Sequence, residues 1–411
     1  MLCLKFKFPM TNSYTEKSVS SRHLKEEEKI SGRVLVLTTH SFFDPRVKVG
    51  MQYIPEGLSR RSWKVDFFSV PSSPGDIIGR RRRERFARVW LRGQWRGWKI
   101  NENLTEYCLP SIFPPSRKLL FFDWQLKTYK WFIPPYLRLK AYDACICDCT
   151  PSAVYLPFFR FKNLIFRLND PVEWQAKPLQ KILRTIDSRS FNTHVWAVSQ
   201  PLGNLASRLY PKLPLVVHPN CVDLNAFFRN PDWRKKGPFR KAVFVGSFER
   251  RIDQQLIVKT ANLLPDWTFR LYGPHCHRVN MQAKNIKLFG HLPHHQVPDI
   301  LSKCSVGLIP IRIDDPDMRF LESPLKFYEY LSAGIGIAAT RAGKMEKTLG
   351  AWAKFGDSPE EFAKAIIDAR AGLPHDTDKR RSFCERHSWD RLIDKFDAAI
   401  SQMIRKNPLF D

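Results

Sequence analysis

Short apolar runs alternate with longer amphipathic segments along most of this chain. The runs of the first half are 33–40 (RVLVLTTH), 64–70 (KVDFFSV), 142–149 (YDACICDC), 163–170 (NLIFRLND), 194–199 (HVWAVS) and 216–223 (VVHPNCVD). Segments of helix length lie between most of them. Uninterrupted apolar runs with such spacing predict a parallel sheet that is covered on both faces.

The same pattern restarts after a polar break at residues 230–238 (NPDWRKKGP). The runs of the second half are 241–247 (KAVFVGS), 267–273 (WTFRLYG), 286–290 (IKLFG), 305–311 (SVGLIPI) and 336–340 (GIAAT). The pattern therefore predicts an α/β protein with two Rossmann-like, doubly wound domains that face one another across a cleft.

The polar break and the chain ends set the predicted domain boundaries. Residues 31–228 form the first domain and residues 239–385 the second. Residues 386–411 contain apolar positions at helical spacing and are predicted to form a C-terminal helix that packs back across the domains. Residues 1–30 are polar and charged toward their end, which predicts a disordered tail.

One segment of the second half, residues 323–334 (SPLKFYEYLSAG), predicts a helix that begins just after a strand and a loop. A helix N-terminus can hold a diphosphate through its free amides, and Lys326 in the first turn adds a charge. Glu329, almost one turn further on, can accept hydrogen bonds from a ribose diol. The alternative interpretation is an ordinary amphipathic helix with a charged face.

Composition indicates a large folded protein without a membrane-spanning helix. The chain has 411 residues, of which 43% are hydrophobic, and its 9 cysteines lack the spacing of a zinc site. No apolar run of about 20 residues and no signal core occur, so we expect a cytoplasmic protein with reduced thiols.

The formal net charge of +27 indicates an anionic partner, either nucleic acid or anionic lipid. Residues 80–99 carry much of it, and only Glu84 opposes their basic side chains. These basic residues are Arg80, Arg81, Arg82, Arg83, Arg85, Arg88, Arg92, Arg96 and Lys99.

Aromatic residues interleave with these arginines, which favours a membrane surface over nucleic acid. Phe86, Val89 and Trp90 would share one face of a helix, and Trp95 and Trp98 follow. The apolar and basic character extends to Lys140. The alternatives are a solvated basic face over an ordinary core, and RNA binding, for which no recognised motif is present.

The order of the motifs resembles that of the GT-B glycosyltransferases. The general likeness lies in VSQPL (198–202), HPNCVD (218–223), VFVGS (243–247), FGHL (289–292) and KFYEYLSAG (326–334). More narrowly, TTHSFFDPR (38–46), RLND (167–170), VGSF (245–248) and SPLKFYEY (323–330) resemble the inverting, membrane-associated glucuronosyltransferases of bacterial xanthan assembly. The likeness covers about residues 33–336.

The resemblance implies that Asp170 is the general base. An inverting transfer needs one carboxylate to take the proton of the acceptor hydroxyl while the nucleotide leaves from the opposite face. The alternative for Asp170, which precedes Pro171, is that it only caps the next turn.

The resemblance also implies a donor site in the second domain, on Gly246, Ser247 and Phe248, and at the diphosphate on Leu325 and Lys326. Glu329 stands where that family has a glutamine and other GT-B enzymes have a ribose-binding glutamate. His291 replaces a glutamate near the base. Arg312 is a further candidate, for a uronate carboxylate.

Residues after the first strand are candidates for the acceptor. His40 and Arg46 would face the cleft and orient the acceptor or neutralise its diphosphate, although a backbone hydrogen bond and a surface charge are the plain alternatives. No Asp-x-Asp pair lies in a suitable place, so we expect no metal and no cofactor besides the donor substrate.

Together the residues and the resemblance predict an inverting transferase that uses a UDP-sugar, with glucuronate as the sugar. The predicted acceptor is an oligosaccharide on a polyprenyl diphosphate, and the enzyme would lie peripherally on the inner face of the cell membrane. The alternatives are another donor, UDP-glucose or GDP-mannose, and a non-catalytic protein that binds nucleotides or nucleic acid.

Overall fold

The computed structural model describes residues 32–44, 48–78, 80–188, 191–229, 240–248, 250–274, 283–372 and 377–407. The predicted tail at residues 1–30 lies outside them. Within the described residues the chain forms two β-sheets with helices on both faces, so the α/β prediction is confirmed.

The first sheet has eight strands in the order β3-β4-β2-β1-β5-β6-β7-β8. Its strands are β1 (Gly32–Leu37), β2 (Trp63–Phe68), β3 (Trp98–Asn101), β4 (Leu104–Tyr107), β5 (Ala141–Asp148), β6 (Arg160–Leu168), β7 (Asn192–Ala197) and β8 (Leu215–Val217). The helices of this part are α1 (Gly50–Arg60), α2 (Arg80–Phe86), α3 (Asp123–Thr128), α4 (Pro135–Leu139), α5 (Lys177–Arg184), α6 (Gln200–Leu209) and α7 (Leu224–Phe227). Only the β3–β4 pair is antiparallel.

The second sheet has six parallel strands in the order β11-β10-β9-β12-β13-β14. They are β9 (Lys241–Val245), β10 (Thr268–Tyr272), β11 (Ile286–Gly290), β12 (Val306–Ile309), β13 (Gly336–Ala339) and β14 (Lys354–Phe355). The helices are α8 (Gln254–Leu263), α9 (Val297–Leu301), α10 (Leu325–Ala333), α11 (Met345–Leu349), α12 (Pro359–Ala371), α13 (Thr377–Arg386) and α14 (Trp389–Lys406).

Strand β1 shows why unbroken apolar runs become central strands. Leu35 and Leu37 enter the core on one face of the first sheet, and Val34 and Val36 enter the core on the other. A strand that is buried on both faces needs apolar side chains at successive positions. Parallel neighbours place all carboxyl ends at one edge of the sheet, where the chain leaves β1, β6 and β7 toward the cleft.

The last helix, α14, returns from the second domain to the first. Ser388 caps it by accepting a hydrogen bond from the Arg391 amide at 3.3 Å. Its apolar side chains pack with α1 on one face of the first sheet, and they are Trp389, Leu392, Ile393, Phe396, Ile400 and Met403. Trp63 Nε1 donates to Asp397 at 2.8 Å and fixes the helix laterally.

The chain first passes from the core of the first domain to the core of the second at Cys221 and Val222; we call this the outward crossing. Cys221 belongs to the core of the first sheet, whereas Val222 and Phe227 belong to the core of the second. The chain therefore enters the second domain before the predicted boundary at residue 228, because α7 packs against α10.

The basic aromatic segment is not the single amphipathic helix that the sequence predicted. Helix α2 continues into a π-helical turn at Ala87–Leu91 and a 3-10 turn at Gln94–Arg96, and Trp98 and Lys99 lie in β3. The Val89 side chain is fully buried, so it cannot face a membrane beside Trp90, which is 37% exposed.

Candidate functional site in the interdomain cleft

A cavity of about 310 Å³ lies where the carboxyl ends of the two sheets meet. The first domain contributes the segment after β6 and the start of α6, and the second contributes the loops after β9 and β12 and the start of α10. Its lining includes Asn169, Asp170, Trp174, Ser199, Asn220, Ser247, Arg251, Asp317, Glu322 and Lys326. The structure thus brings Asp170, Ser247 and Lys326, three of the predicted site residues, to one cavity.

Asp170 follows β6 directly and lines the cavity from the first domain. Among the described residues, no hydrogen bond or ion pair engages its carboxylate. Burial raises the pKa of Asp170 to about 6, and the nearby cations Arg251 and Arg167 oppose that rise. Its neighbour Asn169 is held by the Cys149 amide, which donates to Oδ1 at 3.2 Å. A carboxylate of this kind can accept a proton from a hydroxyl near neutral pH.

Arg251 and Trp174 are cavity residues that the sequence analysis missed. The Arg251 guanidinium lies over the Trp174 ring at 4.6 Å from its centroid, so the contact joins the two domains. Arg251 follows the VGSF motif in a charged run, and nothing in that run distinguishes it from Arg250. Arg250 turns away to ion pairs with Asp317 and Asp315 at 2.7 and 3.4 Å.

On the donor side, Gly246 and Lys326 lie against each other. A Cβ atom on Gly246 would lie 2.6 Å from Lys326 Nζ, so glycine leaves the space that the lysine side chain needs. Lys326 Nζ is also 5.4 Å from the centroid of the Phe244 ring. Helix α10 begins at Leu325, after Pro324, and its first amides have no acceptor within the helix. The dipole and Lys326 therefore make this end of the cavity electropositive.

Glu329 is buried in α10 and makes a contact that the sequence did not reveal. Its Oε1 lies 3.2 Å from His294 Nε2, and the His294 ring packs on Phe227. Leu325 faces the other way and packs against the core of the first sheet. The pairing with His294 fixes the direction of the Glu329 carboxylate.

Of the eight predicted donor residues, Ser247 and Lys326 line the cavity and the other six do not. The Phe248 ring is buried in the core against Phe244, at 4.9 Å. His291 is exposed. The prediction for Arg312 is not supported by its position, because its guanidinium forms an exposed ion pair with Asp314 at 2.6 Å while its amide binds the Arg251 carbonyl.

The structure describes one of the two acceptor candidates, His40. His40 is half-buried after β1, and burial together with the charge of Arg167 lowers the pKa of His40 to about 4, so the ring is neutral at physiological pH. Arg46 lies outside the described residues.

Glu322 connects the domains at the edge of the cavity. Its carboxylate accepts from the Gln200 amide, the first residue of α6, at 2.6 Å and from Thr348 Oγ1 at 3.2 Å. Ser199 Oγ also donates across the cleft to the Phe320 carbonyl, at 2.9 Å. The hydrogen bond from Gln200 joins the two domains, whereas the one from Thr348 lies within the second domain.

No cluster of three or more His, Cys, Asp or Glu side chains suited to a metal ion occurs among the residues the structure describes. His294 is held by Glu329, and its neighbour His295 is exposed.

A group of large apolar side chains on the first domain is exposed to solvent. We call it the aromatic surface; it consists of Trp90, Leu91, Trp98, Ile112, Leu119, Phe121, Phe122, Trp124, Trp131, Tyr136 and Leu139. Ring contacts connect its parts, with Trp90 at 6.2 Å from Phe132 and Trp124 at 5.5 Å from Phe113. Trp131 is 68% exposed, which is unusual for tryptophan on a protein that has no partner.

Trp95, which the sequence placed with these residues, is half-buried beneath Arg96. In the described part of the chain, no helix has both the length and the apolar character needed to span a bilayer.

Comparison with known proteins relates the second domain to a glycosyltransferase family. Residues 240–371 match the family described as Glycosyl transferases group 1. TuaH of Bacillus subtilis strain 168, which is described as a glycosyltransferase of teichuronic acid biosynthesis, is 25% identical over 161 residues. That alignment covers 36% of this chain and only 40% of TuaH.

Solved structures with the same fold cover nearly the whole chain. Sucrose-phosphate synthase from Thermosynechococcus elongatus superimposes with a TM-score of 0.68 at 14% identity, over 91% of this chain and 99% of that protein. Alr3699/HepE of Anabaena, in complex with UDP and glucose, gives 0.57 at 11% identity, over 90% and 100%. At these identities the likeness shows the fold. The two facing Rossmann-like domains have the GT-B fold.

Proposed function

We propose that this protein is an inverting glycosyltransferase that transfers a sugar from a UDP-sugar, with Asp170 as the general base. The observation that carries the proposal is the position of Asp170, whose carboxylate shares one cavity with Lys326 and the start of α10. The cation is suited to a leaving diphosphate, and the carboxylate is suited to an attacking hydroxyl.

In the reaction, the acceptor hydroxyl oxygen forms a bond to the anomeric carbon while the bond from that carbon to the diphosphate oxygen breaks. The bonding electron pair leaves with UDP, where Lys326 and the α10 amides stabilise the charge. The hydroxyl proton goes to Asp170. Because burial holds the pKa of Asp170 at about 6, the carboxylate is ionised at pH 7.5 yet basic enough to receive the proton.

Two carboxylates in the second domain have other roles in this proposal. Glu329, aligned by His294, accepts hydrogen bonds from the ribose hydroxyls of the donor. Glu322 is engaged by Gln200 and Thr348 and serves to hold the domains together, which supports a single base and hence inversion.

The donor is proposed to be UDP-glucuronate, from the narrow resemblance of the motifs. The complex of the Anabaena structure with UDP supports a uridine nucleotide. Because Arg312 is paired with Asp314 away from the cavity, Arg251 is the better candidate for a cation near the sugar. We also propose that no divalent ion is needed; unchanged turnover in EDTA would agree, and loss of turnover would contradict it.

The acceptor is proposed to be an oligosaccharide on a polyprenyl diphosphate, which requires the enzyme to lie on an anionic membrane. The aromatic surface provides the apolar contact, and basic side chains at its border, such as Lys127, Lys130 and Arg138, provide attraction to anionic headgroups. The contact would involve residues 112–139 as well as the arginines of α2.

Calorimetric binding of UDP, UDP-glucuronate, UDP-glucose and GDP-mannose to the full chain tests the donor. We expect UDP and both UDP-sugars to bind, with UDP-glucuronate tighter than UDP-glucose. Binding of GDP-mannose alone would contradict the donor and keep the fold assignment. The absence of binding to all four would contradict the proposed function.

Sedimentation with vesicles tests the membrane contact. Replacing both Trp124 and Trp131 by Ser should release the protein from phosphatidylglycerol vesicles, because two exposed indoles leave the interface. Replacing Arg80, Arg81, Arg82 and Arg83 by Ser should weaken binding at low salt more than at high salt. The matched control is Ile367→Ser, which changes an exposed apolar residue of α12 in the other domain. Unchanged sedimentation of both multiple variants would contradict the membrane contact.

A further inference from the structure

Arg167, near the end of β6, is a buried arginine whose guanidinium has no hydrogen-bond acceptor among the residues the structure describes. Only 6% of the residue is exposed. A guanidinium carries five donors and cannot lose its proton, so near-complete burial without a protein acceptor is unfavourable unless water or an anion satisfies those donors. Burial lowers the pKa of Arg167, which shows the direction of this cost.

A second buried arginine in the same chain shows what a structural arginine looks like. Arg380 is fully buried, and its guanidinium donates to the carbonyls of Leu331, Ser332 and Arg229 at 3.1, 2.9 and 2.8 Å. Those contacts join α13 to α10, so Arg380 has an evident role in the fold. Arg167 makes no such contacts.

The Arg167 side chain points at the N-terminus of α1, an eleven-residue helix. A Cβ atom on Gly50, the first residue of that helix, would lie 3.1 Å from Arg167 Nη1 and 2.7 Å from the Trp389 ring. Glycine at this position lets both the Trp389 ring and the guanidinium approach the first turn. The first amides of a helix have no internal acceptor and carry the positive end of its dipole.

Asp148 and Asp170 act on the Arg167 charge from a distance, and neither forms an ion pair with it in the part of the chain that the structure describes. Asp148 is engaged by Thr38 Oγ1 and Thr150 Oγ1 at 3.0 and 2.5 Å, and burial raises the pKa of Asp148 to about 7. Burial also raises the pKa of the Cys221 thiol to about 12, so it is protonated and uncharged. The remaining carboxylate, Asp170, lines the cavity.

We propose that Arg167 and the first turn of α1 form a binding site for a phosphate-type anion on the first domain's side of the cleft. Arg167 lies three residues before Asp170, which lines the cavity between the domains. A bidentate guanidinium and helix amides together match the oxygens of a phosphate. The source of this anion rests on the proposed function. It is either the diphosphate of the donor or the prenyl diphosphate of the acceptor.

The test compares full-length wild type with Arg167→Met, and uses Arg380→Met as the control for loss of a buried arginine. Calorimetry measures binding of pyrophosphate, UDP, uridine and farnesyl diphosphate. We expect Arg167→Met to bind pyrophosphate at least tenfold more weakly and uridine unchanged, with partial recovery in Arg167→Lys. A loss that extends to UDP identifies the donor as the source, and a loss for farnesyl diphosphate with UDP unchanged identifies the acceptor.

Phosphate affinities within twofold of wild type in Arg167→Met would overturn the site. A measurement on wild type covers the case in which this variant does not fold. Because His40 is sensitive to the Arg167 charge, bound pyrophosphate should raise the pKa of His40 from about 4 in an NMR titration; an unchanged titration would also overturn the site. Wild type that binds pyrophosphate but not UDP would remove the proposed donor and leave the anion site.

Discussion

The charged side chains on the two walls of the cleft differ in whether they are hydrogen-bonded. On the wall of the first domain, Asp170 lacks a hydrogen-bond donor among the described residues, and Arg167 lacks an acceptor there. On the opposite wall, Glu322 and Glu329 are both engaged, by Gln200 and Thr348 and by His294.

This difference separates two tasks. Engaged carboxylates keep one position and one ionisation state, which suits binding and the alignment of domains. A buried carboxylate without a donor keeps a raised pKa and an open lone pair, which suits proton transfer. The open carboxylate of the first wall, Asp170, is therefore expected to control turnover, and the engaged Glu329 of the second wall is expected to act on donor affinity.

Asp170→Asn should give the largest effect. Turnover is expected to fall by about 10² to 10⁴, because the base is lost while the shape is kept. UDP affinity should stay within twofold, and Asp314→Asn, which removes an exposed carboxylate, should behave as wild type in a transfer assay. A variant that keeps a tenth of wild-type turnover would contradict the assignment of the base.

The same substitution should stabilise the fold at pH 7.5. Burial raises the pKa of Asp170 from 3.8 to about 6, so the folded protein loses stability as pH rises through that window. Asparagine removes this cost and should add about 1 to 2 kcal/mol to the free energy of unfolding. Urea unfolding at pH 7.5 and at pH 4 measures it, and the gain should vanish at pH 4.

Lys326→Met should act on binding rather than on the base. Loss of a charged contact to the diphosphate is expected to weaken UDP binding about 10- to 100-fold, at about 1.5 to 3 kcal/mol, and leave uridine unchanged. The control is Lys354→Met, an exposed lysine on β14. Equal losses for UDP and uridine would contradict a diphosphate contact.

Arg251→Met should shift the pH dependence of activity, which reflects the ionisation of Asp170. The acid limb of kcat/KM reflects ionisation of Asp170, so activity should fall below about pH 6. Removing the cation favours the protonated acid and should shift the limb upward by about half a unit to one unit. Arg312→Met, whose charge is exposed and paired, should leave the limb in place. A downward shift would contradict this electrostatic account.

Gly246→Ala should give the smallest effect. The added methyl group would meet the end of the flexible Lys326 side chain, which can shift, and the Gly246 backbone has no positive φ that would strain alanine. We expect UDP affinity to fall about 2- to 5-fold, or about 0.4 to 1 kcal/mol, with stability close to wild type. A large loss of stability would show that the contact is structural.

The strands with buried faces were predictable because their apolar runs are continuous, as in β1 and β12. Strands β3 and β4 were not, since their sequences, WKIN and LTEY, are short, mostly polar and at an edge of the sheet. Asp170 and Lys326 could be placed because each follows a strand or begins a helix at the cleft edge.

Arg251, His294 and Arg167 could not be predicted, since their importance depends on contacts between distant segments. Trp174 lies beneath Arg251, Glu329 beside His294, and α1 in front of Arg167. The position of Arg312 along the chain suits a donor-binding residue. A local turn nevertheless directs its side chain to Asp314.

The return of α14 to the first domain gives the molecule two adjacent covalent crossings. Val222 on the outward crossing donates to the His387 carbonyl at 2.9 Å, and the Trp389 amide on the return donates back to the Val222 carbonyl at 3.1 Å. Two joined tethers remove the freedom to twist or translate that a single linker would allow. We therefore expect any opening of the cleft to be a hinge rotation centred near Val222 and Ser388.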